Sequence, residues 1–384
     1  MIIPKQQGGK QIAQGQYGCI FDPPLICRGE KGPRGGKKKG KLGKLSEIDD
    51  IKNEIMAAEL FKNKPEAKKY FILPELDTLC TQGVNGETAI VIEEQTERNF
   101  DKCEALTRDG LNEMLHYQME YGGKTLQDKL ENIELVIKDF NFFKFMGEML
   151  EIGAYLVLNG IIHNDLHSAN IMMNKTYHPR LIDFGRAYFS QKITEKTLEN
   201  LSAYYDPSLG QITPECSTQD GLADKIPFTT IIQDLISKKP GFLYSERLFG
   251  QSRQNEMTEF QAFWKSSKSI QNKNFVDFWR LYWPVVDAWS IGHVLASTIY
   301  KLSSINDFMS RPEWKQKHLV IKSVITGLLK ASPRYRLDSV EALALYDPTN
   351  ALLSTPAGKT WLQKKNEQRE KIGSQLNHSN QILS

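Results

Sequence analysis

Apolar residues recur at steps of three and four through Phe140, Phe143, Met146, Leu150, Gly153 and Leu156, predicting a helix over 139–158 with Gly160 as its C-terminal cap. A second strongly apolar helix is predicted over 285–302, followed by helices around 314–330 and 338–346. Nearer the start, Ile48, Ile51, Ile55, Leu60 and Phe61 give a helical face over about 47–62, with Pro65 just beyond it. Ser46-Glu47-Ile48-Asp49 reads as a capping-box start for that helix. Residues 10–22 read as two short strands around a glycine-containing turn, and strand-like segments follow at 71–73, 89–92 and 115–119. The glycines Gly122 and Gly123 predict a flexible connector. Short strands at 171–173 and 180–182 flank a turn at 174–179, whereas 190–275 is polar and irregular with weak helical patches such as 228–237. The tail from Asn350 is polar and is expected to end disordered.

One polar run interrupts this pattern. Residues 160–173, GIIHNDLHSANIMM, lie between the apolar helix and an apolar strand. The run holds too many polar side chains for a core and is placed too regularly for an incidental surface loop. Asp165 and Asn170 are five apart, and Asp183 follows on the next strand, so three oxygen-bearing groups converge within 19 residues of chain. Such a set suits a metal ion and a substrate hydroxyl.

Composition narrows the class. A chain of 384 residues with 40% apolar content can bury a sizeable core in one large domain or two lobes. A net charge of +3 does not argue for a nucleic-acid or membrane-surface binder. The five cysteines form no Cys-x-x-Cys pair and leave one over, fitting neither a disulfide framework nor a zinc ribbon and favouring a reducing compartment. No apolar run approaches ~18 residues and the N-terminus lacks a signal-peptide pattern, so a soluble, intracellular, cytoplasmic protein without a membrane span is expected. Residues 28–41 are glycine-rich and basic, which reads as a mobile solvated tether or an anion-binding arm. The spacing Gly35 to Lys41 is that of a phosphate-binding P-loop, but Leu42 replaces the Ser or Thr that must hold magnesium, so that reading is rejected.

Taken together, the motifs resemble those of eukaryotic-type protein kinases from about residue 11 to about 346. His163-Asn164-Asp165-Leu166-His167-Ser168-Ala169-Asn170 resembles the catalytic loop, Asp183-Phe184-Gly185 the magnesium-binding motif, and Ala13 to Ile20 the glycine-rich loop, with Ala13 in the first glycine position. Asp287-Ala288-Trp289-Ser290-Ile291-Gly292 and Pro333-Arg334-Tyr335-Arg336-Leu337 resemble later parts of the large lobe. The wording of 15–27 and of 119–123 looks like serine/threonine kinases encoded by large nucleocytoplasmic DNA viruses, for which host cytoplasm or virion is the implied location.

The resemblance implies an α+β, bilobal protein-kinase-like fold with a small β-rich N-lobe and a larger, mainly helical C-lobe. The N-lobe would span 1–120 with the basic loop at 28–41, the C-lobe 121–349 with an insertion around 216–280, and a polar tail 350–384. It implies a serine/threonine protein kinase that uses ATP and Mg2+ and takes protein substrates; oligomeric state is left open. Asp165 would accept or orient the hydroxyl proton, and Asn170 and Asp183 would hold magnesium. Ala13, Gly15, Gly18 and Ile20 would cover the phosphates, glycine letting backbone amides approach. Met119 would be the gatekeeper, with Glu120 and Tyr121 presenting backbone groups to adenine. Lys44 is the expected phosphate lysine because Glu54 lies mid-helix within reach of it; Lys41 is the rival. Asp287 would brace the catalytic-loop backbone, and Glu215 in Thr213-Pro214-Glu215 would pair with Arg336.

Some positions depart from the family pattern. Asn164 stands where many protein kinases carry the arginine that pairs with a phosphorylated activation loop, so activation through that contact is not expected. His167 replaces the usual lysine, where an imidazole can hydrogen-bond the γ-phosphate or simply fill the loop. The same wording occurs in small-molecule phosphotransferases of this fold, which remain an alternative, as does a non-catalytic scaffold. Phe260, Phe263, Trp264, Phe278, Trp279 and Tyr282 in the insertion predict a packed helical element rather than a docking groove.

Overall fold

The computed structural model describes residues 10–15, 18–27, 40–80, 90–91, 103, 114–132, 140–201, 204–304 and 307–368. The strands in chain order are β1 (Lys10–Gly15), β2 (Gly18–Asp22), β3 (Ile26–Cys27), β4 (Lys41–Glu47), β5 (Glu75–Cys80), β6 (Ile90–Val91), β7 (Met114–Glu120), β8 (Lys124–Thr125), β9 (Ile161–Ile162), β10 (Ile171–Met173), β11 (Pro179–Leu181) and β12 (Tyr188–Phe189). The helices are α1 (Ile48–Phe61), α2 (Leu126–Glu131), α3 (Phe142–Leu158), α4 (Glu195–Leu201), α5 (Pro214–Ala223), α6 (Phe228–Lys238) and α7 (Pro240–Phe249). They continue with α8 (Arg253–Ser266), α9 (Lys268–Gln271), α10 (Phe275–Tyr282), α11 (Val286–Ser303), α12 (Pro312–Leu328), α13 (Ser339–Tyr346) and α14 (Ala351–Ser354). These elements form two compact units, a small β-rich one and a larger, mainly helical one. The small unit takes in 1–125, 170–176 and 180–187; the remainder forms the large unit.

The small unit is built on an antiparallel five-stranded sheet ordered β1-β2-β4-β7-β5. In the β1–β2 hairpin Gly15 stands opposite Gly18, and Ala13 opposite Ile20. A Cβ on Gly18 would lie 2.2 Å from the Leu45 carbonyl oxygen, so the close approach of β2 to β4 itself demands glycine there. Helix α1 buries Ile51, Glu54, Ala57, Ala58 and Phe61, one stripe at near-helical spacing. Phe61 packs on Phe71, and Phe71 meets Phe184 edge-on at 5.3 Å between ring centroids.

Two expectations are corrected in this unit. The helix start moves by one residue: Ser46 is a buried residue of β4, opposite Gly18 and Leu115, and Glu47 takes the N-cap position of α1 without a side-chain cap bond of its own. Pairing with strands on both sides keeps Ser46 in the sheet and moves the helix start along the chain. The cysteines also do pair, since a disulfide joins Cys19 to Cys103 across 84 residues. Such a long-range pair leaves no spacing signature. The basic stretch 28–39, Gln16, Tyr17 and the last residues of the tail lie outside the described residues.

In the large unit α3 and α11 form the centre. Side chains of α3 from Phe142 to Val157 are buried over most of its length, and a Cβ on Gly153 would collide with Ile291 of α11 and Ser339 of α13. Asn141 caps the start of α3, accepting from the Lys144 amide, and Gly160 just past its end has φ +67°. Asp338 and Glu341 make a complete capping box for α13.

The segment 190–275 is not irregular but largely helical, running from α4 to α10. Each helix is short and separately punctuated, by Thr213 capping α5, Ser252 capping α8, Asn274 capping α10, and Gly250 ending α7 with φ +73°. Short, separately capped pieces give little periodicity to read. Phe260, Phe263, Trp264, Phe278 and Tyr282 form one packed aromatic cluster, as expected. The tail begins ordered: helix continues over 356–368, and Trp361 and Lys365 both bond the Asp338 carboxylate.

Candidate active site

Strand β4 carries Lys44 opposite Tyr117 of β7, under helix α1. Lys44 Nζ lies 2.5 Å from Glu54 Oε1 and 3.1 Å from Asp183 Oδ1, and the Tyr117 hydroxyl bonds the other Glu54 oxygen. Burial works against the Lys44 charge, but the nearby carboxylates of Glu54 and Asp183 outweigh it and hold the ammonium well above its ordinary range. Burial also raises the Glu54 carboxyl, and Lys44 pulls it back. Lys41, three residues earlier, pairs instead with Glu75.

Asn170 and Asp183 are joined through the backbone, the Ile182 amide donating to the Asn170 carbonyl at 3.0 Å. Asp183 has φ +64°, a left-handed conformation that aspartate tolerates better than most residues. The residues beside it are anchored: Phe184 is buried, and Asn53 of α1 donates to the Gly185 carbonyl at 2.7 Å. The Asp183 carboxylate stays half exposed at 46%. Met119, the last residue but one of β7, stands opposite Leu42; the Glu120 carboxylate is clamped by both Arg180 Nη atoms at 2.9 and 3.0 Å; and the Tyr121 amide donates to the Gly40 carbonyl.

In the large unit the Asp287 carboxylate accepts from the amides of His163 at 2.7 Å and Asn164 at 2.9 Å. Asn164 has φ +61°, so these bonds hold a backbone turn that asparagine accepts readily. Burial pushes the Asp287 carboxyl up, against the pull of His163 and the two amides. The turn carries Asp165, whose Oδ1 is 3.7 Å from His167 Nε2, while His167 Nδ1 accepts from the Ala169 amide at 3.3 Å. Glu215 and Arg336 form a fully buried pair.

Sequence reading missed Tyr117, the third member of the Lys44–Glu54 group. The period-2 alternation of β7, which puts Tyr117 opposite Lys44, was the available signal. It also missed Lys239, whose ammonium is buried against Leu209 and Ser217; a lysine in a polar segment reads as solvated. Among the described residues no group of three or more His, Cys, Asp or Glu side chains gathers as a metal cluster, and no helix is long and apolar enough to cross a membrane.

A protein kinase domain family model matches residues 40–345. The chain belongs to the protein kinase family. Two similar proteins, both called protein kinase and PP2C-like domain-containing protein, come from rice and Arabidopsis thaliana. They are 39% and 36% identical to this chain over 56 residues. That stretch is 15% of this chain and 8% of each relative.

Proposed function

We propose that this chain transfers the γ-phosphate of Mg-ATP to serine or threonine hydroxyls of proteins. The observation that carries the reading is the Lys44 ammonium held between Glu54 and Asp183. A cation fixed by one carboxylate and aimed at a second, half-exposed one is suited to orienting phosphates beside a metal. In this reading Asp183 and Asn170 would hold magnesium through hard oxygen donors, and the ion, when bound, would neutralise charge on the transferring phosphate. Both residues fit that task, one a half-exposed carboxylate and the other an amide linked to it through the backbone. Asp165 takes the hydroxyl proton, and His167 donates toward the γ-phosphate. The β1–β2 hairpin, with Ala13, Gly15, Gly18 and Ile20, covers the nucleotide. Met119 and Glu120 border the adenine; the Tyr121 amide already serves the Gly40 carbonyl, which leaves its own carbonyl for that use. The narrower likeness to virus-encoded kinases rests on residues 15–27 and 119–123.

The test is transfer of labelled γ-phosphate to casein, a basic protein and the enzyme itself, comparing wild type with Asp183→Ala and followed by phosphoamino-acid analysis. Label on serine or threonine that disappears in the variant is expected. No label on any protein, with ATP still bound, would turn the reading to a small-molecule phosphotransferase or a non-catalytic scaffold.

A further inference from the structure

Three consecutive backbone carbonyls in the large unit each accept a hydrogen bond from a different side chain. Leu209 O accepts from Lys239 Nζ at 2.8 Å, Gly210 O from Trp289 Nε1 at 3.0 Å, and Gln211 O from Ser290 Oγ at 2.8 Å. Trp289 and Ser290 lie on α11, two and three residues after Asp287, which holds the turn bearing Asp165. Lys239 comes from elsewhere, the junction of α6 and α7 within the inserted helices, and its Nζ also reaches Ser217 Oγ of α5 at 3.2 Å.

The clamped stretch sits on the Asp165 side of the unit. A Cβ on Gly210 would fall 2.2 Å from the His293 imidazole, so Gly210 lies directly on that ring. His293 follows Asp287 on the same helix, and His167 is 3.7 Å from Asp165. The clamped backbone and the Asp165 turn are thus held from the same turn of α11, one by Trp289 and Ser290 and the other by Asp287.

We propose that Lys239 is a positioning residue for the protein acceptor, clamping 209–211 beside the Asp165 turn so that this segment is ordered without being phosphorylated. The inference rests on the protein-kinase reading above and adds the regulation of that same site. Two features support it. Lys239 is 1% exposed, and an ammonium buried against a carbonyl and a hydroxyl is costly where an apolar side chain would fill the same space, so its value here is directional. Asn164, beside Asp165, brings no charge to hold a phosphate.

The experiment compares wild type, Lys239→Met and Ser217→Ala in steady-state phosphotransfer to protein, in slow ATP hydrolysis with water as acceptor, and in amide hydrogen exchange over 209–213. Lys239→Met is expected to raise the protein KM and speed exchange of these amides by about tenfold each, the effect of one or two lost hydrogen bonds. The KM for ATP and the hydrolysis rate stay as in wild type. Ser217→Ala, which leaves the Leu209 contact in place, gives a smaller change in the same direction. Unchanged protein KM and unchanged exchange in Lys239→Met overturn the proposal. Should that variant lose hydrolysis and its unfolding transition together, Ser217→Ala decides in the same way. Phosphatase-treated wild type keeps its activity, and loss of activity on treatment also overturns the proposal. If wild type labels no protein at all, the protein-kinase reading itself falls and the acceptor role falls with it. Labelling by wild type with an indifferent Lys239→Met sinks the clamp alone.

Discussion

Arg336 meets Glu215 through two parallel hydrogen bonds, Nη1 to Oε1 at 2.7 Å and Nη2 to Oε2 at 2.8 Å, with both side chains at 0% exposure. The other guanidinium donors go to the carbonyls of Lys330, Val285 and Ala331, so all five N–H groups of the fork are used. This joins the start of α5 to the loop before α13. Removing either partner leaves a buried charge unpaired, which typically costs about 3–5 kcal/mol. Glu215→Ala and Arg336→Ala are each expected to lose that much in urea unfolding, while Glu215→Leu combined with Arg336→Met loses less than the sum. Strict additivity would show that the two groups act separately.

Asp287 bonds two successive amides of the Asp165 turn, and its carboxylate is the acceptor in both. Asp287→Asn keeps the shape but replaces one acceptor oxygen with a donor facing an amide. A small displacement of a reacting group can cost on the order of 100-fold in rate, and a loss of that size in kcat is expected with the KM for ATP little changed. A kcat within a factor of about two of wild type would mean that the turn holds its shape without the brace.

Lys44 and Lys41 lie on the same strand three residues apart, yet they have different partners, Glu54 with Asp183 for one and Glu75 for the other. Lys44→Met is expected to abolish phosphotransfer. Lys41→Met removes a part-exposed surface pair, typically worth about 0–1 kcal/mol, and leaves phosphotransfer intact. Measuring both variants with the same protein acceptor gives the ranking, and the reverse order would move the phosphate role to Lys41.

How much was legible in the sequence depended on how local each cause was. The long helices α3 and α11 and the capped α13 were readable because their apolar faces and caps lie within one stretch of chain. The Asp287 brace and the Glu215–Arg336 pair were expected only through family resemblance, since their partners are 123 and 121 residues apart. The Cys19–Cys103 bond, whose ends are 84 residues apart, and the partners of Lys239 left no such trace. Ser46 shows the opposite case, where a local signal placed the helix start at a residue that strand pairing on both sides keeps in the sheet.

Lys239 also sets a pH dependence of stability. Burial pushes its ammonium down from 10.5 to about 7, partly offset by Cys216, Glu215 and Asp206 and reinforced by Arg336. Facing it, the Cys216 thiol is pushed up to about 12 and the His293 imidazole down to about 4, so neither changes charge between pH 7 and 10. In that window the unfolded chain keeps a proton on Lys239 that the folded chain has released. Stability therefore rises with pH there, with a slope from this group approaching about 1.4 kcal/mol per pH unit. Lys239→Met fills similar space without the titrating charge. Its stability relative to wild type, measured by urea unfolding from about pH 6 to about pH 9, is expected to be most favourable at the acid end and to worsen as pH rises. A difference that stays constant across that range would mean that Lys239 keeps its proton in the folded protein, and that its contacts with Leu209 and Ser217 are those of a permanent cation.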